Sequence, residues 1–125
     1  MANVMVVDDE ESVRKLFKDI LSDSGHVIIE AANGEEAVEV IKEMSVDLVV
    51  TDLVMPEKSG LELIMDIAEN HPGMPIIAIS GGGGITGRFD YLPIAKLIGA
   101  KKIISKPFKV DEIRELINNI LGGEE

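Results

Sequence analysis

A parallel α/β sheet covered by helices on both faces is the fold class that three observations predict. Five short apolar runs, at residues 4–7, 27–30, 48–51, 76–80 and 102–105, alternate with segments of helical period. The best of these runs are continuous rather than alternating, as in Val4-Met5-Val6-Val7 and Leu48-Val49-Val50, which is the pattern of strands buried on both faces. Aromatic residues make up only 3% of the chain, so the core must come from Ile, Val, Leu, Met and Ala, which suits helices packed on a sheet.

Each connecting segment carries its own helical signal. Val13, Leu16, Phe17, Ile20 and Leu21 follow three-four spacing after the first run, with Gly25 as the expected stop. Ala37, Val38, Ile41 and Met44 form the second stripe behind an Asn33-Gly34 turn. Leu61, Ile64, Ile67 and Ala68 make the third helix, ending near Asn70-His71-Pro72, because the residue before a proline disfavours helix. Leu92, Ala95 and Ile98 make the fourth, with Pro93 in its first turn and Gly99 at its close. Val110, Ile113, Leu116, Ile117, Ile120 and Leu121 make the last, before Gly122-Gly123.

At 125 residues the chain is expected to be one domain, residues 1–122, with a short tail at 123–125 and no output domain. Its net charge of −11 and lack of a basic stretch argue against direct nucleic-acid binding. The absence of cysteine excludes a disulfide framework. The opening Met-Ala-Asn lacks a basic leader, and its apolar run is too short for a signal peptide or membrane span, so a cytoplasmic protein without membrane insertion is expected.

The chemistry is concentrated at strand ends. Asp8 and Asp9 end the first run, Asp52 the third, Ser80 the fourth, and Lys106 follows the fifth. In open α/β sheets the carboxyl ends of the strands form the ligand crevice, so these five residues are expected to share one pocket. Three carboxylates together repel one another unless a proton or cation offsets them, and an oxygen-only set favours a hard ion such as Mg2+. A nucleophilic aspartate beside a metal, a hydroxyl and an ammonium is the equipment of phosphoryl transfer. Taken singly, an aspartate at a strand end is often a turn or cap residue, and a lone Lys or Ser is usually a solvated one. Their joint placement favours the site.

In this order and spacing, Val7-Asp8-Asp9-Glu10, Asp52-Leu53-Val54-Met55-Pro56 with Gly60, Ser80, Gly99-Ala100 and Lys106-Pro107-Phe108 resemble the receiver domain of two-component response regulators over essentially the whole chain. The resemblance implies a flavodoxin-like (βα)5 sandwich of strand order 2-1-3-4-5, of which receivers are themselves a standard instance. It implies Asp52 as phosphoacceptor, Asp9 and Asp52 as Mg2+ ligands with the Val54 carbonyl, Asp8 acting mainly through water, and Ser80 and Lys106 on the phosphoryl oxygens. A cis Lys106-Pro107 bond is implied too. The donor would be a sensor histidine kinase or histidine phosphotransfer protein. The readout would be a changed face of the fourth helix, fifth strand and fifth helix, presented to a downstream protein. Such a domain catalyses its own phosphorylation without being a turnover enzyme.

Several features depart from the family pattern. Ile103 stands where many receivers carry an aromatic switch residue, and is expected to be an ordinary strand residue packed on the last two helices. Val54 and Gly82 offer no polar group to orient water, so slow dephosphorylation is expected. The glycine-rich segment 81–87 lengthens the connection after the fourth run and is expected to order around phosphate. Gly82, Gly84 and Gly87 match G-x-G-x-x-G, but after the fourth strand rather than the first, and no P-loop Lys-Ser/Thr follows. His26 and His71 have no partner pattern for metal or base chemistry. Lys101, Lys102, Lys106 and Lys109 form a mild basic cluster, a solvated face or a docking aid.

Three other readings stand beside the receiver. A haloacid-dehalogenase-like aspartyl-phosphate hydrolase also uses a strand-end Asp with Mg2+, but needs a second Asp where this chain has Val54. An FMN carrier lacks the aromatic residues to sandwich the flavin. A phosphorylation-independent interaction module would leave Asp52 without chemistry.

Overall fold

The computed structural model describes residues 2–53, 59–80, 92–105 and 108–122, with the side chains of Ser80 and residues 92–94 outside that set. Within the described residues, strands β1 (Asn3–Val7), β2 (Val27–Ala31), β3 (Leu48–Asp52), β4 (Ile76–Ser80) and β5 (Lys102–Ser105) alternate with helices α1 (Glu11–Ile20), α2 (Gly34–Glu43), α3 (Gly60–Asn70), α4 (Leu92–Ile98) and α5 (Val110–Leu121). Every pairing is parallel, as the run pattern predicts, and the order is β2-β1-β3-β4-β5, as the resemblance implies.

Successive strand residues point to opposite faces, so a run that is apolar throughout feeds two cores. Met5, Val7, Val49, Ile76 and Ala78 meet Ala37 of α2, Leu63, Ile64 and Ile67 of α3 and Ala95 of α4 on one face. Val4, Val6, Leu48, Val50, Ile77 and Ile79 meet Phe17 and Ile20 of α1 and Ile113, Ile117 and Ile120 of α5 on the other. Phe17 is the largest fully buried side chain, and its ring centroid lies 5.8 Å from that of Phe108, which pins the segment after β5 to α1.

Helix ends differ from the sequence reading in instructive ways. α1 stops at Ile20, not near Gly25, because the Ser22 hydroxyl and amide both turn back to the Asp19 carbonyl, and a turn follows that ends at Gly25 with φ 78°. Asn33 is the N-cap of α2, its side chain accepting from the Glu36 amide at 2.8 Å, while Glu36 accepts from Ala32 N–H. Ser59 and Glu62 form a complete capping box at the start of α3. Gly99 closes α4 with φ 142°, and Ala100 N–H returns to the Ala95 carbonyl.

Five residues assigned to apolar stripes or packing are instead exposed: Ala68, and Leu16, Met44, Ile103 and Val110 at 37–47%. Leu16 sits a helical step off the Phe17–Ile20 contact line, Met44 has already left α2 as its extended C-cap, and Val110 is the first residue of its helix. Ile103 lies on the edge strand, bordering an open groove with α5 rather than filling a core. His26 has a structural role: Nδ1 accepts from Ala2 N–H and Nε2 pairs with Asn118 Oδ1 of α5.

Candidate functional site

β1 lies at the centre of its pairings, and its register sets Val7 opposite both Ala31 of β2 and Thr51 of β3. The next residues, Asp8 and Asp52, therefore leave the sheet at the same carboxyl edge. Asp8 N–H donates to the Ala31 carbonyl at 3.1 Å, extending the ladder by one residue before the chain turns out at exposed Asp9. One carboxylate oxygen from each of Asp8, Asp9 and Asp52 lies within 4.8 Å of the others, the one such group among the described residues. Exposure rises across it, from Asp8 at 2% through half-buried Asp52 to Asp9 at the surface.

Two of the acids, Asp8 and Asp52, are held by main chain. Asp8 Oδ1 accepts from the Glu10 amide at 2.9 Å, and the Asp8 carbonyl accepts from Arg14 Nη1 at 2.7 Å. The Leu53 amide is shared between the Ile79 carbonyl at 3.2 Å and Asp52 Oδ1 at 2.7 Å, which fixes the orientation of the Asp52 carboxylate against β4. Leu53 itself is buried, and its carbonyl accepts from Gly60 N–H at 3.0 Å, tying α3 to the strand end. That approach leaves no room for a side chain: a Cβ on Gly60 would overlap the Asp52 carbonyl oxygen and lie 2.6 Å from Leu53 Cα.

Three carboxylate oxygens this close form a hard donor set with nothing soft in it. Opposite ligands of a Mg2+ octahedron are about 4.2 Å apart, and oxygens within 4.8 Å of one another could hold such an ion with small adjustments and water completing the shell. Backbone register also brings Ser80 to this edge, one residue beyond the Asp52–Ile79 pair and opposite Ser105. The Ser80 hydroxyl, Lys106 with its bond to Pro107, Val54, Gly82 and the rest of segment 81–87 lie outside the described residues, as does the tail at 123–125.

The sequence reading missed two residues that support the site, Arg14 and Glu30. Glu30, on edge strand β2, pairs with Lys18 Nζ and Arg14 Nε, each at 3.0 Å. An acid inside the otherwise apolar run Val27-Ile28-Ile29 and an arginine between the core-facing Val13 and Phe17 were the available signals. The hydrogen bond from Lys18, and then that from Arg14, hold the Glu30 carboxyl below the ordinary glutamate range. A carboxyl lowered in the folded state adds stability above its unfolded pKa and loses it as pH falls through the folded value. Glu30→Gln is therefore expected to cost roughly 0.5–1 kcal/mol near neutrality, a modest amount because the pair is partly solvated, and progressively less in acid. Urea titrations of both proteins at pH 7 and pH 3 check this; an equal difference at the two values contradicts it.

Comparison with known proteins settles the family. The sequence matches the response regulator receiver domain over residues 4–118. The chain belongs to the response regulator receiver family. Receivers of this kind are signalling domains of two-component systems rather than turnover enzymes. The chain is 39% identical to the chemotaxis protein CheY of Bacillus subtilis, across 95% of its length and 97% of that protein. It is 36% identical to CheY of Thermotoga maritima, across 94% and 95%. Among solved structures, the response regulator TrrA of Thermotoga maritima in complex with Mg2+ and BeF superposes with a TM-score of 0.81 at 32% identity, covering 96% of this chain and 99% of that one. The beryllofluoride-activated NtrC4 receiver domain dimer gives 0.85 at 32%, with 98% of each chain covered. No helix of the described residues is long and apolar enough to cross a membrane.

Proposed function

We propose that this receiver is a phosphoacceptor switch in which Asp52 takes a phosphoryl group from a histidine kinase or histidine phosphotransfer protein. The observation that carries the reading is the convergence of Asp8, Asp9 and Asp52 at one sheet edge, with the Asp52 carboxylate oriented by the Leu53 amide. Asp9 and Asp52 would hold Mg2+ directly, with the Val54 carbonyl, and Asp8 would hold it mainly through water. When bound, the ion offsets the negative charge that would otherwise repel a phosphoryl donor. A carboxylate oxygen of Asp52 attacks phosphorus; the new O–P bond forms as the P–N bond to the donor imidazole breaks, and the electron pair leaves with the imidazole. Ser80 and Lys106 receive the phosphoryl oxygens.

The output face is formed by α4, β5 and α5. Leu97 of α4 is 86% exposed, and a groove of about 440 Å3 between β5 and α5 is lined by Ile103, Phe108, Ile113 and Leu116 with Glu112 and Glu115 beside them. These features support a downstream protein as the reader of the phosphorylated state. A cytoplasmic location goes with this reading, and a single receiver unit over residues 1–122 accounts for it.

Intact-mass measurement after incubation with acetyl phosphate, in Mg2+ or in EDTA, tests the proposal. A single labile phosphoryl adduct is expected with the metal and none without it. A folded protein that gains no adduct with donor and metal in excess is instead an interaction module that works without phosphate.

A further inference from the structure

We infer that Arg14 is a positioning residue for the acidic site, acting through the peptide that joins Asp8 to Asp9; this rests on the reading of that site as a Mg2+ site. The guanidinium forks, with Nη1 donating to the Asp8 carbonyl at 2.7 Å and Nε to Glu30 Oε1 at 3.0 Å. The Asp8 carbonyl belongs to a rigid plane that ends at the Asp9 amide. Holding the carbonyl fixes Asp8 ψ, and with it the direction in which the chain carries the Asp9 carboxylate away from Asp8 and towards or away from Asp52. The end of β2 thus holds Asp8 on both flanks: Ala31 accepts from the Asp8 amide in the preceding peptide, and its neighbour Glu30 anchors the arginine that holds the Asp8 carbonyl. The Arg14 side chain is 15% exposed, so water competes weakly for these bonds.

Geometry and charge make opposite predictions. A cation next to the site opposes Mg2+ entry, so if charge governed, removing Arg14 would tighten binding. If the grip on the peptide governs, removing it loosens binding. The charge effect is blunted because Glu30 already opposes Arg14 directly.

Isothermal titration of Mg2+ into metal-free protein, with urea denaturation of each variant, tests the inference. Arg14→Met is expected to weaken Mg2+ binding by about ten-fold, the usual scale for a partner that orients metal ligands. Arg14→Lys keeps the charge but not the planar fork, and is expected to weaken binding by about three-fold or more. Lys18→Met removes the neighbouring cation, whose Nζ donates to Glu30 Oε2, and is expected to leave the constant within about two-fold of wild type. Should Arg14→Met fail to fold, Glu30→Gln keeps the arginine but loosens its anchor and is expected to weaken binding by about two-fold or more. An Arg14→Met constant equal to or tighter than wild type overturns the inference, as does full rescue by lysine or an equal loss in Lys18→Met. Wild type that takes up no Mg2+, or Asp9→Asn that binds like wild type, overturns the metal reading itself, and does so in arms that leave Arg14 intact.

Discussion

With asparagine at position 52, the phosphoryl adduct formed from acetyl phosphate and Mg2+ is expected to fall to background while the protein stays folded. The substitution is nearly isosteric, and the Leu53 amide that Asp52 Oδ1 now accepts can be accepted equally by an amide oxygen. What disappears is the nucleophile, because a neutral amide lacks the electron density of a carboxylate oxygen. The loss should therefore exceed about 100-fold, the scale on which removal of a group essential to the chemical step acts, with little change in unfolding midpoint. Intact mass and a urea titration on the same sample check both halves. An adduct of wild-type yield on the variant would place the phosphoryl group elsewhere and sink the assignment of Asp52.

Gly60→Ala is expected to destabilise the fold by about 3 kcal/mol or more, at the upper end of overpacking effects. The added methyl would meet backbone rather than a yielding side-chain tip: the Asp52 carbonyl oxygen, its carbon at 2.8 Å and Leu53 Cα at 2.6 Å. Relief requires α3 to back away from β3, which breaks the Gly60 N–H bond to the Leu53 carbonyl and moves the residue that orients Asp52. For a chain of this size the melting temperature should drop by roughly 10 °C, and the folded fraction should bind Mg2+ more weakly than wild type. Denaturant and thermal melts decide the first point. A variant that melts like wild type would show that α3 can shift freely at its first turn.

Much of this was legible in the chain. The five strands and the gathering of Asp8, Asp9 and Asp52 follow from where continuous apolar runs stop, since a parallel sheet aligns its carboxyl ends and the register Val7–Thr51 leaves the acids side by side. Local competition was harder to read. Ser22 ends α1 five residues before a glycine that looked like the stop, because a hydroxyl can take a helical carbonyl wherever it stands. Contacts made only in three dimensions were harder still. Arg14 reads as one cation on a helix of alternating charge until β2 brings Glu30 beside it, and Gly60 reads as a motif letter until α3 is seen resting on the Asp52 carbonyl. Ile103 shows the limit from the other side: a strand residue is buried only if something covers its strand, and β5 is an edge.

The sheet also acts as a partition. Because alternate residues of β1, β3 and β4 serve different cores, the compartment under α1 and α5 and the one under α2, α3 and α4 are separate solids sharing a wall. Substitutions can accumulate on one side without being felt as altered packing on the other, so a lineage could remodel the surface that one set of helices presents while leaving its counterpart untouched. The acids lie at the rim where the wall ends, and belong to neither room.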